Sequence, residues 1–455
     1  MSSPRIRAAL GPARRAGIGR REALLALSSA LGATFASGAA ALGRIPYGGE
    51  IESSLPWELG AVDPHDLNDP VAAFLAPLLF EPLFGIDQGT VYPTLAASMP
   101  TQRAAFTQLT LRPLRWPNGK VVTARQIAWS LERARQRGAK ALLAGAGRFE
   151  ASSETTLTVT GITPDRLARA LASPLTAILS QQATSKDTFG LGPFRGALTG
   201  ERAVLTRNPF ASRGQPFLER IALRRAPSLG DALRDFEAHE NNLGWFGRGL
   251  HEPRPGSRLV DTGHAGWVVL HAGQQSGRWA RPGAVASLVS TIAQPSVERF
   301  GLVPAGAAAA PEPYSGAACT MVVRRDAPYL VELATTLAAI LGGAAGLITV
   351  SPVSPSELLQ LKKSRQFGFL LDRVRALGRT PEDHQLSLLT EAGLPFKPPR
   401  LPPGTTTASV PGLVCRSLNL AVVGALHLIW ATLPQLELAD GNLANAFHLP
   451  VSPAS

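Results

Sequence analysis

The spacing of apolar residues changes along this chain, and the changes mark its elements. Residues 106–114 alternate apolar and polar positions as a half-buried strand does, and Trp116-Pro117-Asn118-Gly119 supplies the turn that follows. Thr123 then stands where an N-cap is needed, for a helix whose inner face is Ile127, Ala128 and Leu131. Upstream, the apolar runs between residues 51 and 91 are punctuated by Pro64, Pro70, Pro82 and Gly89, which predicts a strand, a helix over 72–79 and turns. Short strands are predicted at 202–206 and 220–224 around the loop 208–216, with an amphipathic helix over 229–238. The Pro- and Gly-rich stretches 302–313 and 397–407 read as surface connections.

Two longer apolar stretches bear on whether the chain spans a membrane. Residues 330–350 carry Glu332, Thr335 and Thr336 and are broken at Gly342-Gly343, the pattern of a helix, a glycine cap and a strand starting at Leu347. Residues 418–433 contain His427 and are short for a bilayer. Both read as core elements. No internal repeat is present, and strands and helices in irregular order over 455 residues favour an α/β or α+β architecture of two or three lobes.

The N-terminus has a different character. Residues 1–22 are basic, 23–35 are apolar and 36–41 are small, which is the order of a signal peptide with cleavage expected between Ala39 and Arg44. Arg20-Arg21 ahead of Leu24-Leu25 resembles a twin-arginine export signal, and an arginine-rich ordinary secretory signal has the same shape. No cysteine lies near the cleavage zone, so a lipid anchor is not expected. The mature protein is expected outside the cytoplasmic membrane, in the periplasm.

Charge adds little to this picture. The net +12 includes six arginines and one glutamate in residues 1–43, and the remaining Lys and Arg read as scattered. No nucleic-acid-binding module accompanies them, so no nucleic-acid partner is expected. Cys319 and Cys415 are the two cysteines, either bridged after export or two separate buried thiols.

Catalytic and metal-binding patterns are absent from the sequence. The eight histidines show no metal-ligating spacing, and there is no G-x-S-x-G elbow, phosphate-binding loop or G-x-G-x-x-G turn. Glu382-Asp383-His384 follows Thr380-Pro381 and reads as a capped helix start rather than a proton-transfer site. The chain is expected to be a non-catalytic binding protein with no cofactor and no metal.

A series of short motifs, in order, resembles the extracellular solute-binding protein family 5, the substrate-binding components of peptide and nickel ABC transporters. They are Asp63-Pro64-His65, Glu81-Pro82-Leu83 with the turn Asp87-Gln88-Gly89, and Pro93-Thr94-Leu95-Ala96-Ala97-Ser98. Leu111-Arg112, the tryptophan turn and Thr123-Ala124 follow, then Gly192-Pro193-Phe194, Arg207-Asn208-Pro209-Phe210 and Gly214-Gln215-Pro216. Beyond residue 240 the chain departs from the family, with His239-Glu240-Asn241-Asn242 where an acidic turn is usual and a shorter second lobe.

The resemblance implies an α/β fold of the two-lobed periplasmic-binding-protein type (class II, cluster C). An extra subdomain sits on the first lobe, and the second lobe is shortened. Residues 1–43 would be the signal, 44–61, 170–265 and 413–455 the first lobe, 62–169 the subdomain and 266–412 the second lobe. Such a protein closes on a small solute or peptide and delivers it as a monomer to an ABC permease in the inner membrane. In that family an acidic residue after a second-lobe strand meets a ligand amine, which points to Asp372; Arg373 and Arg375 beside it favour an anionic ligand instead. Trp57, Trp245 and His271 fall where the family brings chain to the cleft. A diverged relative that serves an envelope partner without transport is the alternative.

Overall fold

The computed structural model describes residues 48–448 except 70, 88, 184–186, 189, 246–254, 305–308, 379, 395–399 and 439–442. The expected signal sequence and its cleavage zone lie outside the described residues. Every sheet and core described below lies within the compact unit Pro46–Ser455.

The first sheet contains β1 (Glu50–Leu55), β2 (Phe194–Leu198), β3 (Arg202–Arg207) and β4 (Arg220–Arg225). Its order is β1-β4-β3-β2, with the short strand Asp187–Thr188 at the edge; β1 runs parallel to β4 and the other pairs are antiparallel. Alternation in β4 buries one of its faces: Ile221 and Leu223 are buried between exposed or half-buried neighbours. The helix α1 (Ala72–Leu79) packs against β2.

The second sheet is built from β5 (Leu243–Trp245), β6 (Arg258–Ala272), β7 (Cys319–Arg324), β8 (Ile348–Val353), β9 (Phe369–Arg375) and β10 (Leu420–Thr432), in the order β5-β10-β6-β9-β7-β8. Two long antiparallel strands, β6 and β10, run side by side through its middle. Beyond β9 the sheet becomes parallel, because the crossover helix α2 (Pro328–Gly342) joins β7 to β8. The expected lobe boundary between residues 265 and 266 falls inside β6, so the chain passes it on a continuous strand.

Period-two alternation along β6 feeds two cores. Val268 and Leu270 face a cluster that contains Ile51, Leu79, Trp245, Met321 and Trp430. Trp267 and Val269 face a second cluster, in which Ile127 and Leu131 of the subdomain meet Val374 and Leu388. Gly266 is required here, since a Cβ at that position would lie 2.0 Å from the Val374 carbonyl oxygen.

The small sheet of residues 101–159 and the helix Ala124–Gln136 form the subdomain. Its strand is shorter than the expected 106–114: the ladder spans Thr107–Thr110, and Pro113 has no N–H to extend it. The tryptophan turn is fastened to the helix start, with Trp116 Nε1 and the Thr123 N–H both donating to Gln126 Oε1 at 3.1 and 3.0 Å. Residues 302–304, expected in a surface connection, are instead the strand Leu302–Pro304 on β10, with Leu302 fully buried. The apolar stretch after residue 330 is α2 followed by β8, and that after 418 is β10. No helix among the described residues is long and apolar enough to cross a membrane. Cys319 and Cys415 are separate free thiols, both pushed up in pKa by burial.

Candidate functional site

The Asp-Pro-His motif builds one wall of the site. Asp63 holds Arg133 of the subdomain helix through two hydrogen bonds, 2.8 and 2.7 Å long. His65 donates from Nε2 to the Ala177 carbonyl at 2.8 Å, while its Nδ1 accepts from Arg133 Nη1 at 2.8 Å. Burial and the neighbouring guanidinium groups depress the His65 pKa to about 4, although the Ala177 hydrogen bond and Asp63 oppose this. Burial works to raise Asp63, but Arg133 and the His65 N–H bring it below its ordinary value. Asp69 closes the segment as a cap, accepting from Val71 and Ala72 N–H groups at the start of α1.

This segment, residues 63–69, is clamped onto β9. Arg375 Nη1 donates to the Pro64 and Asp66 carbonyls at 3.1 and 3.2 Å, and the Arg375 N–H donates to the Leu67 carbonyl. Asn68 Nδ2 donates to the Arg373 carbonyl at 2.6 Å and to Glu391 Oε2 at 2.9 Å. Arg324 Nη1 donates to the Asn68 carbonyl. A cavity of about 10 Å³ remains beside the clamp, bounded by Asp69, Gly266, Trp267, Arg373, Arg375 and Leu426 among others. It has room for about one water molecule.

Behind β9 lies a buried ionic group. Lys362 Nζ lies 2.7 Å from Asp372 Oδ2 and 2.5 Å from Glu391 Oε1, and Glu391 also accepts from His271 Nε2 at 2.8 Å. Burial would lower the lysine pKa, but the two carboxylates more than reverse it. Burial would likewise raise Glu391, and Lys362 and His271 hold it down instead. Every charge here has a partner, as a low-dielectric interior demands.

The structure distributes the six residues singled out from the sequence over this region. Asp372 is fully buried and committed to Lys362, so the acid expected to meet a ligand amine already holds a side-chain amine of its own. His271 is tied to Glu391 in the same group. Arg375 serves the clamp. Arg373 bounds the cavity and places its guanidinium 5.7 Å from the centre of the Trp57 ring. Burial lowers Arg373 to about 10, which leaves it charged at neutral pH. Trp57 packs against Trp245 with ring centroids 4.9 Å apart, and its Nε1 is buried with no hydrogen-bond partner among the described residues. Trp245 donates from Nε1 to the His427 carbonyl and reads as a core residue.

Sequence reasoning missed Asn68, Lys362, Arg324 and Glu391. Asn68 had a signal, since it lies three residues after the Asp-Pro-His motif. The other three had none, because ordinary surface-type charges become buried partners only through the pairing of β9 with its neighbours.

No family model and no curated protein matches the chain. Solved structures do. Similar ones include the ABC transporter-associated periplasmic binding protein DppA from Helicobacter pylori in complex with the peptide STSA, with a TM-score of 0.66 at 13% identity over 89% of this chain and 98% of that one. The solute-binding protein MoaA from A. tumefacien R10, in complex with mannopinic acid, gives 0.64 at 17% over 89% and 99%. NikA from Staphylococcus aureus, in complex with Ni(L-His)2, gives 0.62 at 13% over 88% and 100%. The described chain therefore has the two-lobed periplasmic-binding-protein fold, the fold that the resemblance to the family 5 solute-binding proteins implies.

Proposed function

We propose that this chain is the solute-capturing component of an ABC importer, exported to the periplasm, and that it closes two lobes over a small ligand without catalysing a reaction. One observation carries the reading: a charged Arg373 guanidinium is enclosed at the junction of segment 63–69 with β9, 5.7 Å from the centre of the ring of Trp57, whose buried Nε1–H has no acceptor among the described residues. A buried N–H of this kind is costly until an acceptor reaches it. A carboxylate accepts from the Trp57 N–H and shares the Arg373 guanidinium, which like Asp372 has a partner within the fold, through charge-assisted hydrogen bonds. The reading is thus a carboxylate-bearing solute, with Arg373 and Trp57 as its contacts and Asp372, His271 and Arg375 as the frame behind them. Opening along the clamp would admit a ligand beside Arg373, where the cavity has room for about one water molecule. An ABC permease is the partner this role requires.

Mass spectrometry of small molecules released from protein purified from its native host tests the proposal. A stoichiometric solute bearing a carboxylate supports it; protein that repeatedly yields none contradicts it. The clamp also favours a second reading, in which the cleft stays shut and the chain serves an envelope partner. Capture of such a partner together with an empty cleft would select that reading.

A further inference from the structure

The positive charge of this protein is not scattered once the fold is known. Residues 101–170 contain twelve Lys and Arg against four Asp and Glu, a net charge of +8, while the remainder of residues 48–455 sums to −2. The fold gathers much of this excess at one end of the subdomain. Arg166 Nη2 donates to the Ala144 carbonyl at 2.8 Å, the Gly147 N–H donates to the Thr160 carbonyl, and Gly161 comes so near Gly145 that a Cβ would lie 2.3 Å from its carbonyl oxygen. These contacts join the stretch 137–149 to the helix Pro164–Ala170. Arg137, Lys140, Arg148, Arg166 and Arg169 are exposed there, and none forms an ion pair with a described residue.

Apolar side chains accompany the cations. On the outer face of the helix Ala124–Gln136, helical periodicity places Arg125, Trp129, Glu132 and Gln136 on one stripe that leads toward Arg137 and Lys140, with Glu132 half-buried and taken up by Arg135 and the Phe149 N–H. Trp129 is 36% exposed, and Val121, in the turn before this helix, is 60% exposed. An unpaired cationic surface with an exposed tryptophan, and with no pocket needed for recognition, fits a broad anionic plane into which an amphipathic ring can dip.

We infer that this face of the subdomain docks on an anionic bilayer, by attraction to lipid phosphate groups with Trp129 seated at the headgroup level. The inference does not depend on solute capture. Export, expected from the N-terminus, would bring the face within reach of such a surface.

Vesicle co-sedimentation of residues 46–455, the compact unit that holds both cores, tests it. Retention is expected on vesicles of phosphatidylcholine mixed with phosphatidylglycerol and not on phosphatidylcholine alone. It is expected to fall sharply between about 0.1 M and 1 M salt, as the screening length shrinks from about 10 Å to about 3 Å. The variant R137Q/K140Q/R148Q/R169Q, whose four side chains make no contact in the core, is expected to melt as the parent does and to bind at least about tenfold more weakly. Trp129→Ala is expected to lose the blue shift of tryptophan emission seen on binding. Equal retention on neutral vesicles, unchanged binding by the charge variant, or complete displacement by a matched amount of duplex DNA with no tryptophan shift would overturn the inference.

Discussion

Lys362 Nζ and Asp372 Oδ2 lie 2.7 Å apart in the interior, and that pair turns an expected ligand contact into part of the scaffold. Glu391 shares the same ammonium. Removing the lysine leaves two buried carboxylates facing each other, the situation in which a broken buried pair is most costly. Lys362→Met is expected to cost about 3–5 kcal/mol in denaturant unfolding. The double variant K362M/D372N is expected to recover a clear part of that loss, and strict additivity of the two substitutions would contradict the pairing.

Asn68 reaches β9 and Glu391 at once through a single amide nitrogen. Asn68→Ala deletes both hydrogen bonds and is expected to cost about 1–3 kcal/mol, since Glu391 loses one of its donors. Small-angle scattering is expected to show a larger radius of gyration in the variant, as the clamp between segment 63–69 and β9 opens. An unchanged radius would show that other contacts alone hold segment 63–69 to β9.

Strands β6 and β9 meet with no space for a side chain at Gly266. Gly266→Ala is expected to destabilise the protein by at least about 2 kcal/mol, because the added carbon meets a backbone carbonyl that cannot move without shifting the ladder. Gly404→Ala, at a site open to solvent but with φ +77°, is the comparison: its cost is expected to be that of the backbone conformation alone.

Protonation of buried histidines sets an acid limit. Burial holds His65 at about 4 and His264 at about 3, both below the ordinary 6.5. The unfolded chain therefore binds more protons than the folded one between those values. Stability from these groups is present above pH 6.5 and is lost as pH falls through about 4 and 3. Melting temperature is expected to drop steeply over that range, and His65→Gln is expected to flatten part of the slope. A flat profile from pH 6.5 to 4 would contradict the buried neutral state of His65.

The chain's local elements were legible in its sequence to different degrees. The subdomain helix, its N-terminal cap and the tryptophan turn rest on short-range signals, namely Thr123, Gln126 and the apolar spacing of Ile127 and Leu131, and they appear in the structure. The break at Gly342-Gly343 likewise separated α2 from β8. Residues 302–304 were not legible as a strand, because Pro304 and the Gly- and Ala-rich run after it hid a pairing that only β10 provides. The candidate site was legible as a region rather than as roles. Asp372, Arg373 and Arg375 were expected just past a strand ending at Leu371, whereas the strand runs on through Arg375 and buries all three, and nothing local to them announced Lys362 ten residues earlier or Asn68 about three hundred residues away. Long-range pairing decides which of three adjacent charges faces a carbonyl, an ammonium or a cavity.

Solute capture is tested most directly by a thermal-shift titration of residues 46–455 with short peptides, carboxylate-bearing amino-acid and sugar conjugates, and nickel–histidine. Anything that binds the folded state alone raises the melting temperature in a saturable way. A saturable rise is expected with a carboxylate-bearing solute and is abolished in Arg373→Met. No rise with any class, or a rise of the same size in Arg373→Met, would contradict it.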